Sequence, residues 1–327
     1  MKQMSFTNAE QAAKSRRTRR EKFLGDMERL VPWSRLEAVI EPLYPTSGRV
    51  GRQPIGASKM LRMYCLQQWY ALADEALEDA LYDMPVLREF VGIDLSCESV
   101  PDATTLLKFR RLLNENDLSR ALFDEINAHL AERGLLMRAG TIVDATIIAA
   151  PPSTKNKDQA RDPDMHQTKK GQQWHFGMKA HIAVDADSGL VHTVIGTAAN
   201  VNDVTQANAL LHGSETDAYG DAGYQGAHKR ADAKDVRWHV ALRPGKRRAL
   251  DKTSTTGRLI DEIERVKASI RAKVEHPFHV IKNLFGHRKA RYKGLAKNTA
   301  QLHSLFALAN LVLARRRLFV LDARGAS

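Results

Sequence analysis

Through the first third of the chain, apolar residues recur at helical spacing: Phe23, Met27 and Leu30, then Leu36, Val39 and Ile40, before Pro42 and Pro45 close that piece. A Gly/Pro loop from Gly48 to Gly56 leads to Ser58, a suitable N-cap. A long amphipathic stretch follows through Met60, Leu61, Met63, Tyr64, Leu66, Leu72, Leu77 and Leu81. Pro101-Asp102-Ala103-Thr104 opens another helix through Leu106, Leu107, Phe109, Arg110 and Leu113, and Asp117 caps one more that ends at Gly134.

From about residue 139 the pattern changes to β-branched and apolar runs. Gly140–Ile148 predicts a strand around one carboxylate, Asp144, and His181–Val184 with Val191–Ile195 predicts a hairpin about the turn Asp185–Gly189. Asn202 or Asp203 is expected to cap a helix through Ala207, Leu210 and Leu211. Thr216–Gly220 and Trp238–Leu242 predict two further strands. Leu259, Ile263, Val266, Ile270 and Val274 mark a helix, and a last apolar helix runs from about Leu302 to Leu318. The order calls for an α/β fold: a mixed sheet covered by helices, preceded by an all-α region. No internal repeat or low-complexity tract interrupts it.

Composition narrows the class. The 327 residues are 43% hydrophobic and 27% charged, which suits a folded protein of about two domains. Fifty Lys+Arg against 38 Asp+Glu leave a net charge of +12, which favours a polyanionic partner. Cys65 and Cys97 are the two cysteines and no CxxC pair exists, which argues against a disulfide scaffold or thiolate zinc site and predicts buried, reduced thiols. The longest apolar run, near Leu305–Ala314, is shorter than the roughly 20 residues that span a bilayer, and no signal-peptide h-region is evident. A soluble, intracellular protein is expected.

An acidic residue in an apolar strand is expensive to desolvate unless something pairs with it, so Asp144 demands an explanation: a buried ion pair, a turn contact, or chemistry. Asp221 lies in Tyr219-Gly220-Asp221-Ala222-Gly223-Tyr224, where glycines allow a sharp turn past a strand end, and a simple Asp turn explains it equally well. On the helix from about Arg258, Lys267, Arg271, Glu275 and Lys282 form one polar stripe and Ile263, Val266, Ile270 and Val274 the neighbouring apolar face. A solvated ion pair accounts for Arg271 and Glu275, whereas Pro277 predicts a kink or break. Two hard divalent cations need carboxylates converging from separate elements, and Asp144, Asp221 and Glu275 meet that demand. Asp185 and Asp187 belong to the hairpin turn, Asp203 reads as a cap, and Asp158, Asp162 and Asp164 lie in a polar, lysine-rich loop. The histidines show no HExxH spacing, and His175 and His181, close to the hairpin, read as satisfied surface histidines rather than as groups that face the site or the DNA.

At this point the residues match a known family. Val143-Asp144-Ala145-Thr146, Gly220-Asp221-Ala222-Gly223-Tyr224, and Arg271, Glu275 and Lys282 at steps of four and seven resemble the DDE transposases of bacterial insertion sequences, specifically the group named after insertion sequence five. Ala268 stands where that family's third signature has Tyr. Val100–Thr104 with Phe109–Leu113, Trp174–Lys179 and Gly294–Asn298 extend the likeness over about residues 17–319.

The resemblance implies a ribonuclease-H-like catalytic domain over 136–320 behind a helical domain over 1–135 that binds terminal inverted repeats, through a helix-turn-helix in Ser58–Leu81 or, alternatively, serves dimerisation or packing. It implies two Mg²⁺ ions, with Mn²⁺ as a substitute, held by Asp144, Asp221 and Glu275 for cleavage and 3′-OH strand transfer. Synapsis of two ends implies a homodimer or larger assembly on double-stranded DNA. A nuclease without strand transfer and a non-catalytic DNA-binding regulator remain as alternatives.

The charge then divides into parts. Residues 14–22 carry +5, 243–258 carry +5 and 276–327 carry +9, which leaves −7 for the rest. Arg16 and Arg17 in the first segment, Arg247 and Arg248 in the second, and Arg271, Lys282, Arg288, Lys289, Arg291 and Lys293 around the third acid are the expected DNA contacts.

Overall fold

A computed structural model describes residues 16–45, 53–137, 139–157 and 159–325. The chain forms two compact units, one of Met1–Ile126 with Arg315–Ser327 and one of Asn127–Ala314.

The first unit is helical: α1 (Arg19–Leu30), α2 (Trp33–Ile40), α3 (Ala57–Tyr70), α4 (Asp74–Asp83), α5 (Pro85–Val91), α6 (Ala103–Glu115) and the start of α7 (Leu118–Glu132). Thr18 opens α1 with a capping box, its hydroxyl accepting from Glu21 N–H at 3.2 Å while the Glu21 carboxylate accepts from Thr18 N–H. Asp102 caps α6 by accepting from Thr105 N–H at 2.7 Å. Ser58 does not cap α3; Gly56 holds that position without a side-chain bond, and Ala71 in the left-handed region ends the helix. Met60, Leu61, Met63, Leu66 and Trp69 on α3 are buried, and the Arg110 guanidinium beneath them pairs with Asp74 and Gln67.

The segment expected to form a helix-turn-helix falls on α3 and α4. Within Asp74–Asp83 there are five acids and no Lys or Arg, which a DNA backbone repels. The cations of α3 are also committed, Lys59 to Glu98, and Arg62 to Glu28 and the faces of Trp33 and Phe90. Cys97 is exposed rather than buried; Cys65 is buried, and burial pushes its thiol up to about 12.

The second unit is built on a six-stranded mixed sheet of β1 (Gly140–Ala149), β2 (His166–Lys170), β3 (Gln173–Asp185), β4 (Val191–Ala198), β5 (Asp217–Gly220) and β6 (Arg237–Val240). The order is β2-β3-β1-β5-β6 with β4 also on β3; β1, β3 and β4 pair antiparallel, and β5 and β6 run parallel to β1. This is the mixed sheet that the ribonuclease-H-like expectation requires. One face of β1 enters a core of Val143, Ala183, Leu210, Leu211, Ala218 and Tyr224. Its other face carries Ile142, Asp144, Thr146 and Ile148.

Helices α8 (Pro244–Arg248), α9 (Thr255–Arg271), α10 (Glu275–His279) and α11 (Leu295–Gly325) complete the fold, the last 11 residues of α11 grouping with the first unit. The break expected from Pro277 is present: it has no N–H for the carbonyl of Lys273, and the chain tightens to a 3-10 turn at Ala272–Val274 before α10 and widens to a π turn at Val280–Leu284 after it. Residues 203–206 form only a 3-10 turn where a longer helix was expected.

The apolar stripe of α9 points the opposite way from expectation. Leu259, Ile263 and Val266 are each more than half exposed, while Asp261 and Glu264 are buried. Among the described residues no helix is long and apolar enough to cross a membrane.

Candidate active site

The parallel pairing of β1 with β5 runs from Gly140↔Asp217 to Ile142↔Tyr219. Two residues further along each strand stand Asp144 and Asp221, level with one another where β5 turns away, and adjacent strands lie about 4.8 Å apart. Ligands of open α/β sheets gather at such carboxyl ends. Beyond this point the only further pairing on that edge of β1 among the described residues is a bridge between Ala149 and Lys289. Glu275 opens α10, one residue past the 3-10 turn.

Electrostatics tie the three acids together. Burial pushes the Asp144 carboxyl up to about 7; the Ala145 N–H that it accepts at 2.7 Å opposes the shift, Asp221 and Glu275 add to it, and Arg271 moderates it. Among the described residues Asp221 Oδ1 accepts only from Gly223 N–H, at 2.8 Å. A Cβ at position 223 would sit 2.9 Å from that oxygen, so glycine is what lets the turn close over the carboxylate. Glu275 is exposed and makes no hydrogen bond or ion pair among the described residues. Three carboxylates with few donors, two of which raise the proton affinity of Asp144, are a suitable ligand set for hard divalent cations.

The cations read from the sequence separate into three kinds. Arg271 acts on Asp144 through its charge and has no hydrogen bond of its own among the described residues. Lys282 is half-buried, its Nζ donating to Thr146 Oγ1 at 2.5 Å and to Ile147 O at 3.1 Å on the Asp144 face of β1. Burial and the neighbouring Lys170 lower its pKa. Arg248, Lys289, Lys293, Arg16 and Arg17 are exposed, Arg291 is half-buried, and Arg288 is exposed while bonded to Lys282 O and Asn283. Arg247 is committed to Asp261 at 2.9 Å, so it serves the fold of α8 on α9.

Of the acids set aside from the sequence, Asp185, Asp162 and Asp164 are structural and Asp203 is the exception. Asp185 accepts from the N–H groups of Met137, Asp187 and Ser188 and from the Ser188 hydroxyl. Asp162 and Asp164 accept from Gly294 and Leu295 N–H at 2.7 and 2.9 Å, stapling their loop to the start of α11. Asp158 lies outside the described residues. The exception, Asp203, is not a cap: Lys179 Nζ donates to its Oδ1 at 2.9 Å, and its Oδ2 faces Gly223.

A second polar cluster gathers ligand-type atoms of His192, His212 and Glu215 within 4.8 Å of one another. Ser214 N–H donates to His212 Nδ1 at 3.2 Å, so the ring proton sits on Nε2, which faces Glu215 Oε1 at 3.3 Å. Thr141 Oγ1 joins Glu215 to His192. These bonds occupy Thr141, His192 and Glu215, and the cluster is a hydrogen-bond network at the start of β1.

Two family models match the chain. The family model described as a transposase DDE domain matches residues 136–311, a span that contains Asp144, Asp221 and Glu275. A second model, described as a transposase domain, matches residues 11–112. With more than half of its length matched, the chain belongs to the family of transposases with a DDE domain.

Proposed function

We propose that this transposase cleaves DNA at the terminal inverted repeats of an insertion sequence and joins the freed 3′-OH to target DNA, using Asp144, Asp221 and Glu275 as ligands for two Mg²⁺ ions. The observation that carries this reading is the coupling of the three acids: Asp221 and Glu275 both raise the proton affinity of the half-buried Asp144. Such repulsion is relieved when cations bind. When bound, the two ions supply Lewis acidity at the scissile phosphate, activating the attacking oxygen and stabilising the leaving one.

The protein's own groups do the rest. Arg271, unpaired among the described residues, and Lys282, anchored on Thr146, hold phosphate oxygens beside the carboxylates. The exposed Arg248, Arg288, Lys289 and Lys293 track the backbone further out. In the helical unit the acidic α4 is unsuited to a groove, so we assign contact with the repeat to the arm and first turn of α1, where Arg16, Arg17, Arg19 and Lys22 are exposed. Two ends brought together require at least a dimer.

The test uses the full chain with repeat-ended DNA. Alanine at Asp144, Asp221 or Glu275 should abolish Mg²⁺-dependent cleavage and leave gel-shift affinity intact; full activity in any one overturns the assignment. Pre-cleaved ends separate the alternatives, since a plain nuclease would hydrolyse without joining and a regulator would do neither. Loss of the preference for repeat over random DNA in an Arg16→Ala, Arg17→Ala, Arg19→Ala triple variant is the expected result for the arm.

A further inference from the structure

Asp203 is a second-rank acid by sequence and a first-rank one by position. It follows Asn202 at the start of the 3-10 turn Asp203–Gln206, where no side chain caps. Its two oxygens are used differently. Oδ1 is held by the half-buried Lys179, whose Nζ also donates to Val201 O at 2.7 Å, and it lies 3.8 Å from Nδ1 of the buried His181. Burial lowers the pKa of His181 to about 4, so that ring is neutral and Lys179 is the cation that orients Asp203. Oδ2 has no hydrogen-bond donor among the described residues.

The free oxygen faces the catalytic turn. The position that a Cβ would take on Gly223 is 2.9 Å from Asp221 Oδ1 and 3.9 Å from Asp203 Oδ2, so the two oxygens are no further apart than those distances laid end to end. Two-metal sites set their ions roughly 3.5–4 Å apart, and with metal–oxygen bonds of about 2.1 Å the ligands of one centre span up to about 8 Å, which that bound satisfies.

A separate observation points to the same spot. Tyr224, three residues after Asp221, is fully buried, and its hydroxyl has no hydrogen-bond partner. Besides burial, the nearby charges of Asp144, Asp203 and Asp221 raise its pKa, and Arg271 opposes them. A buried hydroxyl left without a partner costs free energy, and water or an ion's hydration shell held among these acids would satisfy it.

We propose that Asp203 is a fourth carboxylate of the metal centre, fixed by Lys179 and lending its Oδ2 to the divalent-ion site beside Asp221. The inference rests on the reading of Asp144, Asp221 and Glu275 as metal ligands. Lys179 then has a role that its place on β3 alone does not require: it neutralises one oxygen so that the other can approach Asp221.

The test is Mn²⁺ binding to the full chain without DNA, followed by electron paramagnetic resonance and calorimetry, with thermal melts as the folding control. Asp203→Asn should weaken Mn²⁺ binding by at least about 10-fold, since losing a carboxylate ligand costs no less than losing a group that only supports one. Asp203→Glu, which keeps the charge and moves the oxygen by one methylene, should fall between that variant and the parent, and it carries the test if the amide variant does not fold. Unchanged affinity in a folded Asp203→Asn, with Asp144→Asn losing binding, overturns this inference alone. If the parent protein takes up no Mn²⁺, the three-carboxylate reading fails with it.

Discussion

The two ends of β1 treat buried polar groups in opposite ways. At its start, Thr141, Glu215, His192 and His212 bond to one another and to backbone N–H groups, and Asp185 on the neighbouring strand accepts four donors. Three residues on, Asp144 accepts one backbone N–H and faces two more carboxylates. The first arrangement spends its lone pairs on holding the sheet and hairpin together. The second leaves them open, which costs stability and is what a cation site requires. Acidity and burial alone therefore do not mark the reactive end of the strand; unspent hydrogen-bonding capacity does.

The largest expected contrast is between Asp144→Ala and Asp185→Ala. The first should reduce cleavage by on the order of 10³-fold or more, as when one member of a cooperating set is removed, with no loss of thermal stability. The second strands N–H donors of a buried turn and should destabilise by about 3 kcal/mol, activity at low temperature surviving in whatever fraction stays folded. Cleavage assays at 20 °C beside urea melts read both. If Asp185→Ala proved catalytically dead but fully stable, the division between the two ends of β1 would collapse.

A pH series sharpens the same division. In metal-free protein the folded state keeps a proton on Asp144 up to about pH 7, whereas the unfolded chain releases it near pH 4. The folded state binds the extra proton, so this group's contribution is favourable at low pH and is lost as pH rises through about 7. Asp144→Asn cannot ionise. It should melt with the parent at pH 4 and above it at pH 8, by roughly 2–4 °C for each kcal/mol relieved, and Mg²⁺ should abolish the gap by stabilising the parent alone. Identical melting curves at both pH values would mean that Asp144 is ordinarily solvated.

Much of this was legible in the chain. The β-branched run around Asp144, the hairpin and the glycine-flanked Asp221 are set by local chemistry, and the sheet assembles from them as expected. Other features depend on tertiary context. The strand His166–Lys170 is entirely polar and pairs with the start of β3, so periodicity gave no sign of it. Asp203 looked like a cap because a helix start and a salt-bridged turn share the same residues, and only the fold brings Lys179 to it. The staples from Asp162 and Asp164 span more than 130 residues, beyond any local pattern. Substituting Asp164→Ala should cost about 1 kcal/mol, the scale of a lost helix cap, without touching catalysis.

The smallest effect expected is at α9, where it is also the most instructive. Helical periodicity identifies which residues share a face but not which face turns inward, and burial of the apolar stripe is merely the usual outcome. Here the inward face is Asp261 and Glu264. Asp261 is matched by Arg247 and Arg265, and Glu264 accepts from Leu242 N–H and Lys267. Leu259, Ile263 and Val266 are left in solvent. If the polar face holds the helix down, Ile263→Ser should change stability by less than about 0.5 kcal/mol, as for exposed positions generally. A buried Ile truncated this far would cost about 2–5 kcal/mol. Denaturant melts of that one variant distinguish the two cases, and a loss on the larger scale would mean that the apolar stripe, not the ion pairs, seats the helix that leads to Glu275.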